Sequence, residues 1–242
     1  ITFINTCFEN RKMSYYEHCR YRNFEGVAIV CADYNDPDVL ELMNSDLPVV
    51  TIDYVHHNCT AVSSNNIQGM EDLVKYIYQQ GHRKIAYIHG QENSYVTKDR
   101  LASFYRTMDE LGLEVPDEYI RTADYLETKE AARQTREILN LPDVPTCIIY
   151  PDDTALIGGR NVIIEMGLQI PRDISVAGYD GTRISQLLHP KLTTIRQNTE
   201  LIGSEAAKRL IGTIEKPRTT LVERVVIEGS LVPGQSVGKI EP

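Results

Sequence analysis

Cysteine is scarce: the 242 residues hold five, at positions 7, 19, 31, 59 and 147, and none stands in a CxxC spacing. An odd, scattered set of thiols excludes a disulfide framework and fits a reducing cytosol. Convergent zinc-ligand spacing is lacking too; His56, His57 and Cys59 sit close in sequence, but as members of a polar loop. No apolar run reaches the roughly 20 residues of a membrane helix, and the first residues lack the apolar stretch of a secretory signal. Basic residues are outnumbered, with 25 Lys and Arg against 34 Asp and Glu and a formal charge of −9. That balance argues against this chain gripping nucleic acid itself, because phosphate binding asks for a basic face. Phosphate-cradling GxxxxGKS/T, dinucleotide-binding GxGxxG and zinc-protease HExxH motifs are all missing. A GxSxG match at 234–238 has only four residues after it, too few for the helix and histidine that a nucleophile elbow needs. Low-complexity linkers and short repeats are absent as well.

What is present looks globular. Hydrophobic residues make up 42% and charged residues 24%, close to the averages of folded domains. The length fits one large domain or two small ones, at roughly 150 residues per domain. One unit recurs: an apolar β-branched run, a polar loop, an amphipathic helix, then Gly or Pro and another apolar run. The runs lie at 1–4, 27–31, 49–52, 84–88, 146–150 and 174–179. Their near-continuous hydrophobicity predicts strands buried on both faces, as in parallel sheets. Met70, Leu73, Val74 and Ile77 fall at helical spacing, and Gly81 stands where a C-terminal cap belongs. Further helices are expected over about 98–111, stopping at Gly112, and over 153–166, stopping at Gly167; Asp36–Pro37 reads as an N-cap with proline at the first helical position. Alternating strands and helices give an α/β protein, and the number of runs points to two lobes.

Ligands of open parallel sheets bind beyond the carboxyl ends of the strands. The run 27–31 is followed by Asp33, 49–52 by Asp53, 84–88 by a loop and then Arg100, 146–150 by Asp152 and Asp153, and 174–179 by Asp180. Carboxylates accept hydrogen bonds and a guanidinium donates them in a fork, a combination suited to a small polyhydroxylated molecule. An aspartate between strand and helix is equally placed to cap the helix. Asp153 reads foremost as such a cap, and Asp152 serves either purpose. Arg100 opens a helix, where its charge opposes the dipole, so a purely structural reason for it is weaker. Tyr125, in a polar stretch before a helix, either stacks on the apolar face of a sugar or is a half-buried surface residue. A glycosidase pair of Asp152 and Asp180 is permitted by the fold alone, with no other motif behind it.

Several stretches, in this order, carry a resemblance: VVTID at 49–53, GHRKIA at 81–86, RLASF at 100–104, PT at 145–146, DD at 152–153 through Gly158, IPRDISV at 170–176, GYD at 178–180 and PKLTTI at 190–195. Together they resemble the LacI/GalR (lactose-repressor/galactose-repressor) family of bacterial transcription regulators, specifically its effector-binding core. The resemblance spans about 24–232, is made specific by GHRKIA together with PKLTTI, and is looser over 1–23. It implies a periplasmic-binding-protein-like type I fold, with two Rossmann-like lobes of parallel sheet joined by a three-strand hinge. Residues 1–66 and 198–220 would form the N-terminal lobe, and 67–197 with 221–242 the C-terminal lobe.

In that family a small effector, usually a sugar, lies in the cleft between lobes. The resemblance assigns effector contacts to Arg100, Asp180, Asp152 and Tyr125, with Ser94 and Asp53 as further members; strand-end reasoning reaches Arg100, Asp152 and Asp180 independently. The sequence also departs from the family. Asp152 replaces the usual asparagine, removing an amide donor and adding a charge, which points to a donor-rich or basic ligand. Ser103 stands for glycine and Gly181 for a second aspartate. The helix-turn-helix headpiece and the first strand–helix unit of the N-terminal lobe are not in this sequence. Implied partners are the effector, operator DNA through that headpiece, and a second copy of the chain in a homodimer. The setting implied is the cytoplasm, without membrane, metal, cofactor or enzymatic activity. A sugar-binding protein of an ABC transporter shares the fold, but free cysteines and the GHRKIA stretch disfavour it.

Overall fold

The computed structural model describes residues 1–4, 7–8 and 11–240. Along the chain, β1 (Cys7–Phe8) and β2 (Arg11–Lys12) precede α1 (Tyr15–Tyr21), β3 (Val27–Ile29), α2 (Pro37–Met43), β4 (Val49–Ile52) and β5 (Thr60–Ser64). Next come α3 (Asn66–Gln79), β6 (Ile85–His89), α4 (Tyr95–Glu110), β7 (Ile120–Thr122) and α5 (Thr128–Leu139). The remainder is β8 (Cys147–Ile149), α6 (Asp153–Glu165), β9 (Ser175–Asp180), β10 (Thr193–Arg196), α7 (Thr199–Glu215), β11 (Arg224–Ile227) and β12 (Ser230–Val232). The run at 1–4 is coil rather than the expected strand: Ile1 and Phe3 are fully exposed, and only Ile4 packs against the core of the first unit.

The chain divides into two units, Ile1–Ser64 with Asn198–Ile227 and Asn65–Gln197 with Glu228–Pro242, whose last two residues lie outside the described ones. In the first unit, β11-β5-β4-β3 form a parallel sheet. Ile202 and Ala206 of α7 pack with Val50, Val62 and Ile227, while Cys19, Val39, Leu42 and Met43 pack with Ile29 and Val49. Residues 221–227, expected with the second lobe, belong here because β11 pairs with β5. Along β11 only Ile227 is buried, too short a pattern to show its partner in advance.

The second unit holds the sheet β12-β10-β9-β8-β6-β7, parallel except for β12. From β6 the chain moves outward to β7 on one side and to β8, β9 and β10 on the other. The strand order therefore reverses between β6 and β8, and ligands of doubly wound sheets bind at the carboxyl ends flanking such a reversal. Both faces are apolar with period two. Ala86, Ile88, Ile148 and Val176 pack under α5 and α6, while Ile85, Tyr87, Ile149 and Ala177 pack under α3 and α4. In α3 the four periodic residues Met70, Leu73, Val74 and Ile77 are wholly buried, each stabilising the fold by about 1.5–3 kcal/mol. Gly81 follows with φ 98°, a conformation that glycine adopts without strain.

Helix α4 begins at Tyr95, before the expected 98, because Ser94 is extended and the turn starts directly after it. Arg100 therefore lies in the second turn rather than opening the helix. Among the described residues no helix is long and apolar enough to cross a membrane, and no group of three or more His, Cys, Asp or Glu could hold a metal ion.

Candidate functional site

Arg100 projects from α4 and is 2% exposed. A buried guanidinium is costly without partners, and this one has several. Nε donates to Asn66 Oδ1 at 2.8 Å, and Nη1 donates to the Pro151 carbonyl at 2.9 Å. The guanidinium carbon lies 3.5 Å from the ring centroid of Tyr179, a stacked cation–π contact worth about 2 kcal/mol when desolvated. Two of the three nitrogens are thus tied, one to the start of α3 and one to the loop after β8. Nη2 is directed at Asp180, with 3.8 Å to Oδ1, an ion pair too long for a hydrogen bond.

Asp180 closes β9 with a φ of 96°, a conformation that side-chain-bearing residues rarely adopt and that clusters at functional sites. Gln197 fixes it, donating from Nε2 to Oδ1 at 2.6 Å and from its backbone amide to the Asp180 carbonyl at 3.2 Å. Burial lifts the Asp180 carboxyl above its ordinary range, and Asp152 adds to the rise, while Arg100 and Gln197 oppose it. The side chain retains 28% of its surface. Tyr125 stands on the loop after β7. Its hydroxyl shares a 2.8 Å hydrogen bond with Thr97, and its ring covers Gly90 so closely that a Cβ there would lie 2.3 Å from Cε2. The Arg100 guanidinium carbon is 5.8 Å from the Tyr125 ring centroid. Arg100, Tyr125 and Asp180 are therefore brought together, at the strand-order reversal of the second unit's sheet.

Asp152 is close by but occupied otherwise. It is 1% exposed, caps α6 by accepting from Thr154 and Ala155 amides at 2.8 Å each, and accepts the Leu126 amide at 2.8 Å. The added charge expected to favour a basic ligand thus faces backbone donors. Asp153, expected as the cap, lies inside the first turn instead and turns to Thr182, whose amide and hydroxyl donate to Oδ2 at 2.7 and 2.9 Å. Ser94 is the half-buried residue at the start of α4, without a side-chain capping bond. Asp53 follows β4 in the first unit, with φ 59° and Oδ1 accepting the Ser64 amide at 3.2 Å.

Asn66, Thr97, Tyr179 and Gln197 were not singled out from sequence. Tyr179 lay within the GYD stretch, where its burial in the sheet was legible but not its stacking on Arg100.

A family profile described as a periplasmic binding protein-like domain matches residues 74–237. The chain is 30% identical over 201 residues to the HTH-type transcriptional repressor PurR of Actinobacillus pleuropneumoniae serotype 3 (strain JL03), covering 82% of this chain and 59% of that protein. It thus spans about three-fifths of that relative's length. Among solved structures it is similar to a regulatory protein of LacI family from Chloroflexus aggregans, with 27% identity and a TM-score of 0.79 over 93% of this chain and 80% of that one. It is also similar to the transcriptional regulator CelR in complex with cellobiose, with 25% identity and a TM-score of 0.81 over 92% and 71%. With the profile covering more than half of its length, the chain belongs to the periplasmic-binding-protein-like domain family and corresponds to the effector-binding core of LacI-type transcriptional regulators.

Proposed function

We propose that this chain senses a small, hydroxyl-rich solute, a sugar, held over the carboxyl ends of β6, β8 and β9. The observation that carries this reading is the 3.8 Å separation of Arg100 Nη2 and Asp180 Oδ1 beside the Tyr125 ring. A hydroxyl set between the two accepts from the guanidinium and donates to the carboxylate, roles that neither a carboxylate nor an ammonium ligand fills together. Tyr125 offers an apolar face for the ring of the solute. The cellobiose complex of the similar regulator supports a sugar as the class of ligand.

In the whole protein, solute binding favours the state for which the solute has the greater affinity, and its leverage is limited to that difference. Operator DNA would sense this change through a headpiece outside the present sequence, a part that the name of the repressor relative supports, and the chain would act as a homodimer. The same name does not favour the transporter alternative.

Calorimetric titration of the chain with mono- and disaccharides tests the proposal. At least one sugar is expected to bind, and Asp180→Asn and Arg100→Lys each weaken it by tenfold or more, because one loses the charge and the other the fork. Unchanged affinity in both variants would remove Arg100 and Asp180 from the site.

A further inference from the structure

The departure at position 152 has a structural consequence. One carboxylate oxygen, Oδ1, accepts the Thr154 and Ala155 amides and caps α6; the other, Oδ2, accepts the Leu126 amide. Leu126 has a φ of 64°, in the left-handed region that side chains rarely adopt. Its side chain is 64% exposed, so packing does not hold it there. Within the turn, the Glu127 amide donates to the Asp124 carbonyl at 3.1 Å. Tyr125 precedes Leu126 directly, and its ring lies against Gly90, where a Cβ would stand 2.3 Å from Cε2.

We propose that Asp152 is a positioning residue of the effector site: through the Leu126 amide its second oxygen holds the strained 124–127 turn and thereby sets Tyr125 beside Arg100. As far as the ligand is concerned, this rests on the reading of the site given above. Asparagine caps a helix as well as aspartate does. At this position, however, its one carbonyl oxygen is taken by the cap and its NH2 faces the Leu126 N–H, donor against donor. A carboxylate is thus required for the second bond, and the substitution of an acid for the family's amide turns a group expected to meet the ligand into one that shapes the aromatic wall.

Asp152→Asn in the full chain separates the two duties of the residue. Residue-resolved amide exchange is expected to speed up tenfold or more at Leu126 while Thr154 and Ala155 stay protected, and the Tyr125 ring resonances shift. With cellobiose and ribose as probes, the affinity of whichever binds falls about tenfold. Adding Leu126→Gly relieves the left-handed strain, so the double variant regains most of that loss and returns the Tyr125 resonances. Should Asp152→Asn fail to fold, Asp152→Ser, which keeps one capping oxygen, serves the same comparison. Unchanged exchange at Leu126, or faster exchange with unaltered sugar affinity, overturns the positioning role. If neither sugar binds the unaltered chain, the effector reading fails with those probes, while the hold on Tyr125 stands or falls on the exchange and ring data.

Discussion

Asp153 is the residue whose chemistry differs most from that of an ordinary aspartate. Its side chain is wholly buried, Oδ2 accepts two bonds from Thr182, and Oδ1 has no partner at hydrogen-bond geometry. Burial lifts its pKa from 3.8 to about 6, with nearby Asp180 adding to the rise against the Thr182 and Thr194 groups that lower it. Between those two values the folded chain keeps a proton that the unfolded chain has released. Stability from this group is therefore fully present below pH 3.8 and is lost as pH rises through 6, by about 3 kcal/mol in all. Urea denaturation between pH 4 and 7 is expected to show this slope in the unaltered chain and to lose it in Asp153→Asn; an identical slope in the variant contradicts the assignment. Arg100 and Asp180 were legible in the sequence because each follows an apolar run at the rim of a parallel sheet. Asn66, Thr97 and Gln197 were not, because each meets its partner across 34, 28 and 17 residues, and no local pattern announces such a contact.

At the scale of elements, α3 packs into the same apolar cluster that holds Tyr179, and so supports the chemistry of Arg100 from within the core. Its apolar stripe was legible from spacing alone, and so was the Asp36–Pro37 start of α2, where Asp36 accepts the Asp38 amide at 2.9 Å. Less visible is Gly69 on α3: a Cβ there would stand 2.2 Å from the Tyr179 hydroxyl oxygen. Tyr179 stacks on Arg100, so Gly69→Ala is expected to displace the ring, to destabilise the unit by about 1–3 kcal/mol through overpacking, and to weaken sugar binding. Thermal melts and titration of the same sample check this; an alanine variant with unaltered stability and affinity would show that the contact relaxes freely. Strands β5, β7, β10, β11 and β12 stand in no continuous apolar run because polar residues interrupt them, such as Ser63 and Ser64 in β5, Arg121 and Thr122 in β7, Thr193 and Thr194 in β10, Arg224 in β11 and Ser230 in β12, and the stripe of helix α5 is interrupted by polar residues such as Gln134 and Thr135 that are buried nonetheless.

At the scale of the whole molecule, the chain changes unit three times, at 64–65, 197–198 and 227–228, and each unit is built on its own largely parallel sheet. The two-lobed organisation was foreseeable from the number of apolar runs and a third crossing from the resemblance, whereas the position of that crossing, at 227–228 rather than 220–221, was not, because β11 and β12 are separated by only two residues and join different sheets. The net charge of −9 predicts that the chain alone has no salt-dependent affinity for duplex DNA. A mobility-shift assay at low salt checks this, and a shifted band abolished by added salt would contradict it. The central claim, that a sugar hydroxyl bridges Arg100 and Asp180, is tested most directly by a crystal structure of the chain with a bound sugar. The account predicts one hydroxyl oxygen within hydrogen-bond distance of both Arg100 Nη2 and an Asp180 carboxylate oxygen, with the sugar ring against Tyr125; a sugar seated elsewhere, with the Arg100–Asp180 gap untouched, would contradict it.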